Sequence, residues 1–536
     1  MVWNCRRFVQ PGDEATKHKM YKPVEQLTEA EKKRALKCRL SYTRKRPELD
    51  QGEGQLGAAK ARLVAKDLKI IHKMDARETY AATPPVDGFR LMVASCHTEQ
   101  GDELSSTDFE TAFLQSTKWE DKLVLIVYKD PFTGQLIYEW LSGVIYGMQT
   151  GAYDWKDTLS HYLTTEMGFV EASNMQSMYH HQEKQITISC HVDDPLALTR
   201  IKQHKEWFYD KLEKDFDIKG NQTLTEANPL DYLSIRISLD SKGNIRLDNQ
   251  AKIQIYLEEK GLTECNPTNV PIQKTLLQQI FVNKKEGIKQ NDDDQKLTEK
   301  YLGEAQWLAQ TTHPTIATAL SMISSVKNTE GALSALTQVF RYLKGRQDYA
   351  LVKEAGNNEG FRSYSDADWA GLYDLSGGIE LRSRTGAIIY YNGMAVTWGS
   401  YFQQCRGTDH KTGVEYTEDL IALSSAESEI HAAADAAKES LHLKYIAEEL
   451  GIPVPTEMPL GVDAGAALGF IRNTTSVGRQ KHINLKMGWV KKLRQPYTID
   501  FYKVLGTDNP ADLFTKIQTS IAFKQCEETL IKKMQK

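Results

Sequence analysis

The amino-acid sequence predicts a multidomain protein that mixes helices and sheets, in the α+β and α/β classes. Short strand-like runs alternate with helical stretches between about residues 55 and 255, and a second such pattern begins near residue 360. Between them, residues 250–347 carry patterns typical of helices. A chain of 536 residues is also too long for one core, since domains usually hold ~100–200 residues.

The predicted elements follow in chain order. A helix is expected in LTEAEKKRALK, strands in LVLIVY, LIYEWL, ITISCHV and LSIRISL, and a helix in YDWKDTLSHYLTTEMG. Later, GAIIYYNG and AVTWGS predict a hairpin with Asn392-Gly393 as its turn, followed by a long helix. The polar tract 283–296 is expected to be a surface loop. The predicted units are a polar lead-in (1–35), a first α+β domain (36–250), a helical part (251–350), a second α/β domain (356–520) and a tail (521–536).

Composition and charge narrow the class of protein. The chain is 40% hydrophobic and 26% charged, as in ordinary soluble proteins, and lacks both an apolar run of ~18 residues and a secretory signal. We therefore expect a soluble intracellular protein. The seven cysteines form no C-x-x-C pair, which argues against a structural zinc site and a disulfide framework. Residues 1–75 hold 18 Lys and Arg against 10 Asp and Glu, which suits a polyanionic partner or, alternatively, a solvated charged face.

The stretch ITISCHVDDPLALT contains the adjacent acids Asp193 and Asp194 between two apolar runs. Its alternating pattern predicts a hairpin, and Asp-Asp-Pro alone would be an ordinary turn. Asp108 lies 85 residues upstream in SSTDFETAFLQ, at the end of another predicted strand. Carboxylate oxygens are the natural ligands of Mg²⁺, and two such ions can hold both oxygens of a phosphoryl displacement. A metal site at the hairpin tip is the alternative to a simple turn.

The second α/β region has its own acids near strand or helix ends. They are Asp366, Glu429, Asp463 and Asp512. Ser424 and Glu427 have the spacing of a capping box, so Glu427 is interpreted as a helix cap and Glu429 as free to face the sheet. Trp369 and Trp398 are expected in the core.

Six sequence blocks in a fixed order resemble the reverse transcriptase of copia-type LTR retrotransposons. They are KARLVAK (60–66), TDFETAFLQ (107–115), VIYGMQTGAYDW (144–155), HVDD (191–194), DYLSIRI (231–237) and VFRYLKG (339–345). The resemblance continues into SDADWAG, LSSAESEIHAAADA, VDAGAA and PADLFTK, which are similar to the RNase H signatures of the same elements. The chain thus resembles the polymerase and RNase H end of a Pol polyprotein. It shows no zinc-binding series of an integrase and no D-[ST]-G protease motif.

The resemblance implies a fold and two activities. The fold would be a right-hand polymerase with fingers and palm (36–250), a helical thumb or connection (251–350) and an RNase H-like mixed sheet with flanking helices (356–520). The activities would be RNA- and DNA-directed DNA synthesis and cleavage of RNA in a hybrid. Both would proceed by two-metal phosphoryl transfer, with two Mg²⁺ or Mn²⁺ ions in each active site.

The resemblance also implies roles for individual residues. The catalytic metal ligands would be Asp108, Asp193 and Asp194 in the polymerase and Asp366, Glu429, Asp463 and Asp512 in the RNase H domain. The substrate-binding residues would be Lys60 and Arg62 on the triphosphate, Phe113 as a steric gate against a 2′-hydroxyl, and Tyr146, Gly147 and Gln149 beside the incoming nucleotide. Partners would be an RNA template, a DNA primer, RNA–DNA hybrid, dNTPs and other Gag and Pol products, in cytoplasmic virus-like particles or the nucleus, with no membrane.

Two residues and one sequence block depart from the family pattern. His191 stands where the family has Tyr, Pro195 follows the acid pair in place of an aliphatic residue, and MQTGA (148–152) shifts the glutamine by one position. Two alternatives therefore stay open beside the two-activity enzyme. One is a decayed, non-enzymatic nucleic-acid-binding remnant, and the other is a hybrid nuclease with an inactive polymerase domain.

Overall fold

The structure is a computed structural model, and it describes residues 8–9, 21–44, 59–67, 80–117, 123–378, 380–408, 415–472, 488–494 and 498–534. Its strands are β1 (Leu36–Arg44), β2 (Ala59–Ala65), β3 (Glu103–Phe109), β4 (Val124–Lys129), β5 (Leu136–Leu141), β6 (Val170–Glu171), β7 (Met178–His181), β8 (Ile186–His191), β9 (Asp194–Thr199), β10 (Ile218–Thr223), β11 (Leu230–Tyr232), β12 (Ile235–Leu239), β13 (Ile245–Asp248), β14 (Tyr349–Lys353), β15 (Phe361–Asp368), β16 (Arg384–Tyr391), β17 (Met394–Phe402), β18 (Gln404–Thr408), β19 (Glu415–Asp419), β20 (Met458–Val462), β21 (Ile499–Lys503) and β22 (Lys532–Lys533).

The helices are α1 (Glu29–Arg34), α2 (Val86–Ala94), α3 (Gly151–His161), α4 (Lys202–Asp215), α5 (Gln250–Glu259), α6 (Lys274–Lys285), α7 (Asp292–Thr311), α8 (Ala317–Ser324), α9 (Ala332–Lys344), α10 (Ser425–Glu449), α11 (Gly465–Arg472) and α12 (Ser520–Leu530). The mixed helix-and-sheet class predicted from the sequence is therefore confirmed. The prediction of a loop over residues 283–296 is wrong at both ends of this range. The helix α6 extends to Lys285, and α7 already begins at Asp292. Asn291 caps α7 by accepting from the Asp293 and Asp294 N–H groups, so this polar tract starts a helix.

The first region contains two sheets. A four-stranded sheet has the order β2-β1-β4-β5, and a six-stranded antiparallel sheet has the order β10-β3-β9-β8-β7-β6. The alternating apolar residues of β8 and β9 are buried. Packing against α3 and α4, one face of the six-stranded sheet forms a core with Phe109, Trp155 and Phe208. This sheet holds β3 beside the β8–β9 hairpin.

A five-stranded sheet accompanies the helical region. Its order is β11-β12-β13-β14-β22, so it joins strands from before α5 with a strand near the C-terminal end of the described chain. The predicted tail contributes α12, which buries Phe523 and Leu530, and then β22, which pairs with β14. Burial of these apolar side chains holds the segment against the helical region.

The last region is a five-stranded sheet of order β17-β16-β15-β20-β21. Its first three strands are antiparallel, whereas β15, β20 and β21 run parallel. The predicted Asn392-Gly393 turn is confirmed, with φ of 48° and 78°, values that Asn and Gly tolerate best. The long helix α10 packs on β15 and β16.

The regions share one large apolar core. This core runs from Phe89 on α2 through the helical region to Phe514 and Ile531. Arg90, buried on α2, donates to the Val396 carbonyl of β17 and lies 4.1 Å from the Trp398 ring, so α2 is tied to the last sheet. Among the described helices, none is long and apolar enough to cross a membrane.

Candidate active sites

The first acid site lies where β3 meets the tip of the β8–β9 hairpin. Asp108 is the penultimate residue of β3, and Asp193 lies in the two-residue turn that follows His191. The Phe109 N–H donates to the Asp193 carbonyl at 3.0 Å, which brings the turn to the end of β3. Asp194 begins β9 at the exposed end of the hairpin. The hairpin predicted from the alternating sequence is therefore present, and it brings the three acids to one place.

The turn itself is held in an unfavourable conformation. Val192 has a φ of 55°, which is rare for a β-branched residue and persists only where the surroundings impose it. The buried Trp155 indole donates to the Val192 carbonyl at 2.7 Å and fixes the turn from α3. Pro195 keeps its place in the hairpin opposite Cys190, so this departure from the family pattern does not break the fold.

The charged groups of this first acid site change the pKa of Asp194 and form ion pairs with Lys219. Partial desolvation and the neighbouring charges of Asp193 and Asp108 raise the pKa of Asp194 to about 6. Lys219, on the adjacent β10, lies 3.5 Å from an Asp108 carboxylate oxygen and 3.1 Å from Glu110. Sequence patterns did not indicate Lys219, because its pairing with Asp108 depends on the register between β10 and β3.

The residues predicted to contact the nucleotide form a chain of contacts next to these acids. The Arg62 guanidinium lies 5.1 Å from the centre of the Tyr146 ring, and that ring lies 5.5 Å from the ring of Phe113. Arg62 Nε is buried without a hydrogen-bond partner in the described part of the chain. Lys60 belongs to β2, but its side chain lies outside the described residues. The structure thus places Arg62, Tyr146 and Phe113 together.

Gly147 and Gln149 are the remaining residues that were predicted to lie beside the nucleotide. Gly147 has a φ of 85°, and a Cβ there would lie 2.3 Å from the Ala65 carbonyl oxygen, so only glycine fits. The side chain and the backbone of Gln149 both donate to the Asp67 carboxylate, at 3.1 and 3.2 Å. Asp67 follows the KARLVAK block, and its role was not indicated by the sequence.

The second acid site is more compact. One carboxylate oxygen each of Asp366, Glu429 and Asp463 lies within 4.8 Å of the other two. Asp366 comes from the central strand β15, Glu429 from the first turns of α10, and Asp463 follows β20. Within the described ranges, these three are the acids with such a three-ligand geometry, and Asp108, Asp193 and Asp194 are not held as closely.

Burial makes the charges of this second site costly. Burial raises the pKa of Asp366 to about 7, with a lowering influence from Lys516 and a raising one from Asp512. Burial and the charges of Asp366 and Asp463 raise the pKa of Glu429 to about 9. Three mutually repelling carboxylates in a buried position are the arrangement that a bound cation stabilises.

Asp512 stands slightly apart from the other three acids. It lies in the 3₁₀ turn Pro510–Phe514, and its carboxylate accepts from Lys516 at 2.7 Å. The same ammonium lies 3.5 Å from Asp366 Oδ2, and the Thr515 hydroxyl donates to that oxygen. Lys516 and Thr515 belong to the PADLFTK block, although the sequence argument assigned no role to either.

The donor set of the second site fits a hard divalent cation. All three ligand groups are carboxylates, which Mg²⁺ and Mn²⁺ prefer, and Glu429 Oε2 is buried without a hydrogen-bond partner among the described residues. The donor set at Asp108, Asp193 and Asp194 has the same chemistry in a looser arrangement. Both sets therefore suit divalent cations.

Two neighbours of the second site have other roles. The Glu427 N–H donates to the Ser424 hydroxyl, and the Glu427 carboxylate accepts from the Leu423 N–H, so its predicted capping role is confirmed. The prediction that Trp369 is a core residue is wrong, because Trp369 is 49% exposed and its indole donates to the Ala422 carbonyl. Trp398 packs against the core as expected, and its indole donates to the Ala309 carbonyl.

The mixed helix-and-sheet, multidomain architecture is consistent with a reverse transcriptase-type polymerase. Comparison with known proteins also indicates a reverse transcriptase. Residues 20–274 match the family described as reverse transcriptase (RNA-dependent DNA polymerase).

Curated relatives match over most of the chain. The retrovirus-related Pol polyprotein from transposon TNT 1-94 of Nicotiana tabacum is 24% identical over 92% of this chain. Those from transposons RE1 and RE2 of Arabidopsis thaliana are 24% and 25% identical over 91%. The chain spans about a third of these relatives, or 35%, 31% and 31% of their lengths. The matched family and these relatives support the resemblance of the chain to copia-type retrotransposon Pol.

Proposed function

We propose that this chain is an RNA-directed DNA polymerase with a second, RNA–DNA hybrid nuclease activity. The observation that carries the polymerase proposal is the meeting of β3 with the β8–β9 hairpin, which brings Asp108 beside Asp193 and Asp194. The match of residues 20–274 to reverse transcriptases supports it. The relative that matches over 92% of this chain is named a retrovirus-related Pol polyprotein, which favours a role in a retrotransposon.

In this proposal the sheets take the positions of a right-hand polymerase. The four-stranded sheet would belong to the fingers, the six-stranded sheet to the palm, and helices α5–α9 to the thumb or connection. The sheet β15–β17 with β20 and β21 would be RNase H-like. Its strand order and the helix α10 on β15 and β16 support that assignment.

Each residue of the first acid site and its surroundings would have its own role in DNA synthesis. Divalent cations held by Asp108, Asp193 and Asp194 would supply charge stabilisation for phosphoryl transfer. Lys60 and Arg62 would bind the triphosphate, with the Arg62 fork held over Tyr146. Phe113 would exclude a 2′-hydroxyl from the space beside its ring, and Gly147 would let the backbone approach the nucleotide. Substrates would be an RNA template, a DNA primer and dNTPs, inside particles that also contain Gag and other Pol products.

The hybrid nuclease proposal rests on the compact acid site. Divalent cations at Asp366, Glu429, Asp463 and Asp512 would activate water and stabilise the charge that develops on an RNA phosphate. The Ala367 backbone N–H opposes the rise in the pKa of Glu429, although burial and the neighbouring acids outweigh it. Thr515 orients Asp366 through their hydrogen bond. Both activities would be intracellular, in cytoplasmic particles or in the nucleus.

Template-directed dNTP incorporation by the purified chain with Mg²⁺ tests the polymerase proposal. We expect primer extension by the unchanged chain and its loss in Asp108→Asn. Glu110→Gln is the matched control, because Glu110 is two residues away and contacts the same Lys219. Hybrid binding without any incorporation by the unchanged chain would refute the proposal and favour the non-enzymatic remnant.

Release of RNA fragments from a labelled RNA–DNA hybrid tests the nuclease proposal. Asp366→Asn should remove the release, whereas Asp368→Asn should keep it, since Asp368 lies on the same strand outside the three-carboxylate cluster. Cleavage without DNA synthesis in the unchanged chain would favour the alternative of a nuclease with an inactive polymerase domain.

A further inference from the structure

Lys516 lies beside the compact acid site, between Asp366 and Asp512. Its ammonium is 2.7 Å from Asp512 Oδ1 and 3.5 Å from Asp366 Oδ2, so it bridges the two carboxylates. The lysine ammonium is a compact point charge, so it neutralises part of the negative charge that the two carboxylates place here.

The position of this ammonium is the one that a cation shared by Asp366 and Asp512 would need. Mg²⁺ binds carboxylate oxygens at ~2.0–2.1 Å, closer than an ammonium approaches them. A divalent cation between the same two oxygens would therefore overlap Lys516, and the two positive charges would repel each other. Binding there requires the lysine to leave.

The lysine is able to leave. Its side chain is 43% exposed, whereas that of Asp366 is 2% exposed, so the ammonium can reach water while the carboxylate cannot. Four flexible carbon atoms connect the ammonium to the backbone. By contrast, Asp366, Glu429 and Asp463 already form a cluster that excludes Asp512. One cation could bind this cluster with less disturbance of Lys516.

We propose that Lys516 occupies the second cation position, between Asp366 and Asp512, and must be displaced before a second divalent ion binds. Lys516 thereby sets the metal concentration at which hybrid cleavage begins. This inference rests on the proposed hybrid nuclease. It makes Lys516 a positioning residue that acts through the metal, and it assigns Asp512 to the weaker of the two positions.

Mn²⁺ titration of the full-length chain, with free Mn²⁺ followed by electron paramagnetic resonance, tests the proposal directly. In an Asp108→Asn background, which weakens the exposed acid site, Lys516→Gln should tighten the weaker class of bound Mn²⁺ by about tenfold, because one positive charge near the ion is removed. Lys516→Arg keeps the charge and should stay close to the unchanged chain. Lys524→Gln is the control, since Lys524 is exposed on α12 and pairs only loosely with Glu528.

The Mg²⁺ dependence of hybrid cleavage gives a second readout. Lys516→Gln should lower the half-saturating Mg²⁺ concentration by about the same tenfold factor. Unchanged or weaker Mn²⁺ binding in a folded Lys516→Gln chain would overturn the proposal, and lost cleavage with unchanged Mn²⁺ binding would mean that Lys516 substitutes for the second ion. If no variant cleaves hybrid at any Mg²⁺ concentration, the proposed nuclease fails, while the Mn²⁺ titration still decides the role of Lys516.

Discussion

The two acid sites of this chain place similar residues in opposite surroundings. Asp108 is 43% exposed at the end of β3, beside a hairpin tip, whereas the Asp366 side chain is 2% exposed within β15. Each has a lysine 3.5 Å away, Lys219 in the first site and Lys516 in the second. Both sites thus combine aspartates with a lysine, but the aspartate of the second site is far more desolvated than that of the first.

The difference teaches what burial adds to a carboxylate cluster. In the exposed site water stabilises the charges, and the raised pKa of Asp194, about 6, leaves that group mostly ionised at neutral pH. In the buried site the pKa of Glu429 rises to about 9, so without a cation its proton is retained at neutral pH. The buried site is therefore the one whose protonation and stability depend most on bound metal.

The largest expected effect tests whether the two sites act independently. Asp108→Asn should lower DNA synthesis by about a thousandfold or more while hybrid cleavage stays within about twofold, because under the proposed function each cluster would hold its own cations. Asp366→Asn should do the reverse. Primer extension and RNA release, measured on the same preparations, check this. Loss of both activities in either folded variant would contradict two separate metal sites.

An intermediate effect concerns stability and pH. The ordinary pKa values of Asp366 and Glu429 are 3.8 and 4.5, and the fold raises them to about 7 and about 9. Between those values the folded chain holds protons that the unfolded chain has released, so the stability of the metal-free chain should fall as the pH rises from about 4 to about 9. The thermal midpoint in EDTA, measured across this range, checks the direction.

Glu429→Gln should flatten this fall, because the amide has no proton to lose. Glu448→Gln is the matched control, on the exposed face of the same helix α10. Added Mg²⁺ should stabilise the unchanged chain more at pH 9 than at pH 5. Equal pH dependence in the unchanged chain and in Glu429→Gln would show that this carboxylate does not contribute.

The smallest expected effect concerns the departure at His191. Burial lowers the pKa of His191, with an opposing influence from Asp193, so the ring is neutral at pH 7 and resembles the family's tyrosine in charge. His191→Tyr should change the rate of primer extension by about threefold or less, about 0.7 kcal/mol. A much larger gain in rate would support a polymerase weakened by sequence decay, and steady-state kinetics distinguish these results.

Part of this protein was predictable because the signals are local. Alternating apolar residues predicted the β8–β9 hairpin, Asn-Gly predicted the turn between β16 and β17, and the Ser424–Glu427 spacing predicted a helix cap. The ordered sequence blocks indicated the resemblance to copia-type retrotransposon Pol and the candidate acids. These features depend on neighbouring residues or on residue type alone.

Tertiary structure decided the rest. The pairing of Lys219 with Asp108 depends on strand register, and the exposure of Trp369 depends on which elements pack around it. The sequence placed Asp366 and Asp512 in one site as equals, but the fold separates them by burial and inserts Lys516 between them. Sequence by itself determined which groups are present; only long-range packing decided their desolvation and their distances, which set their charge.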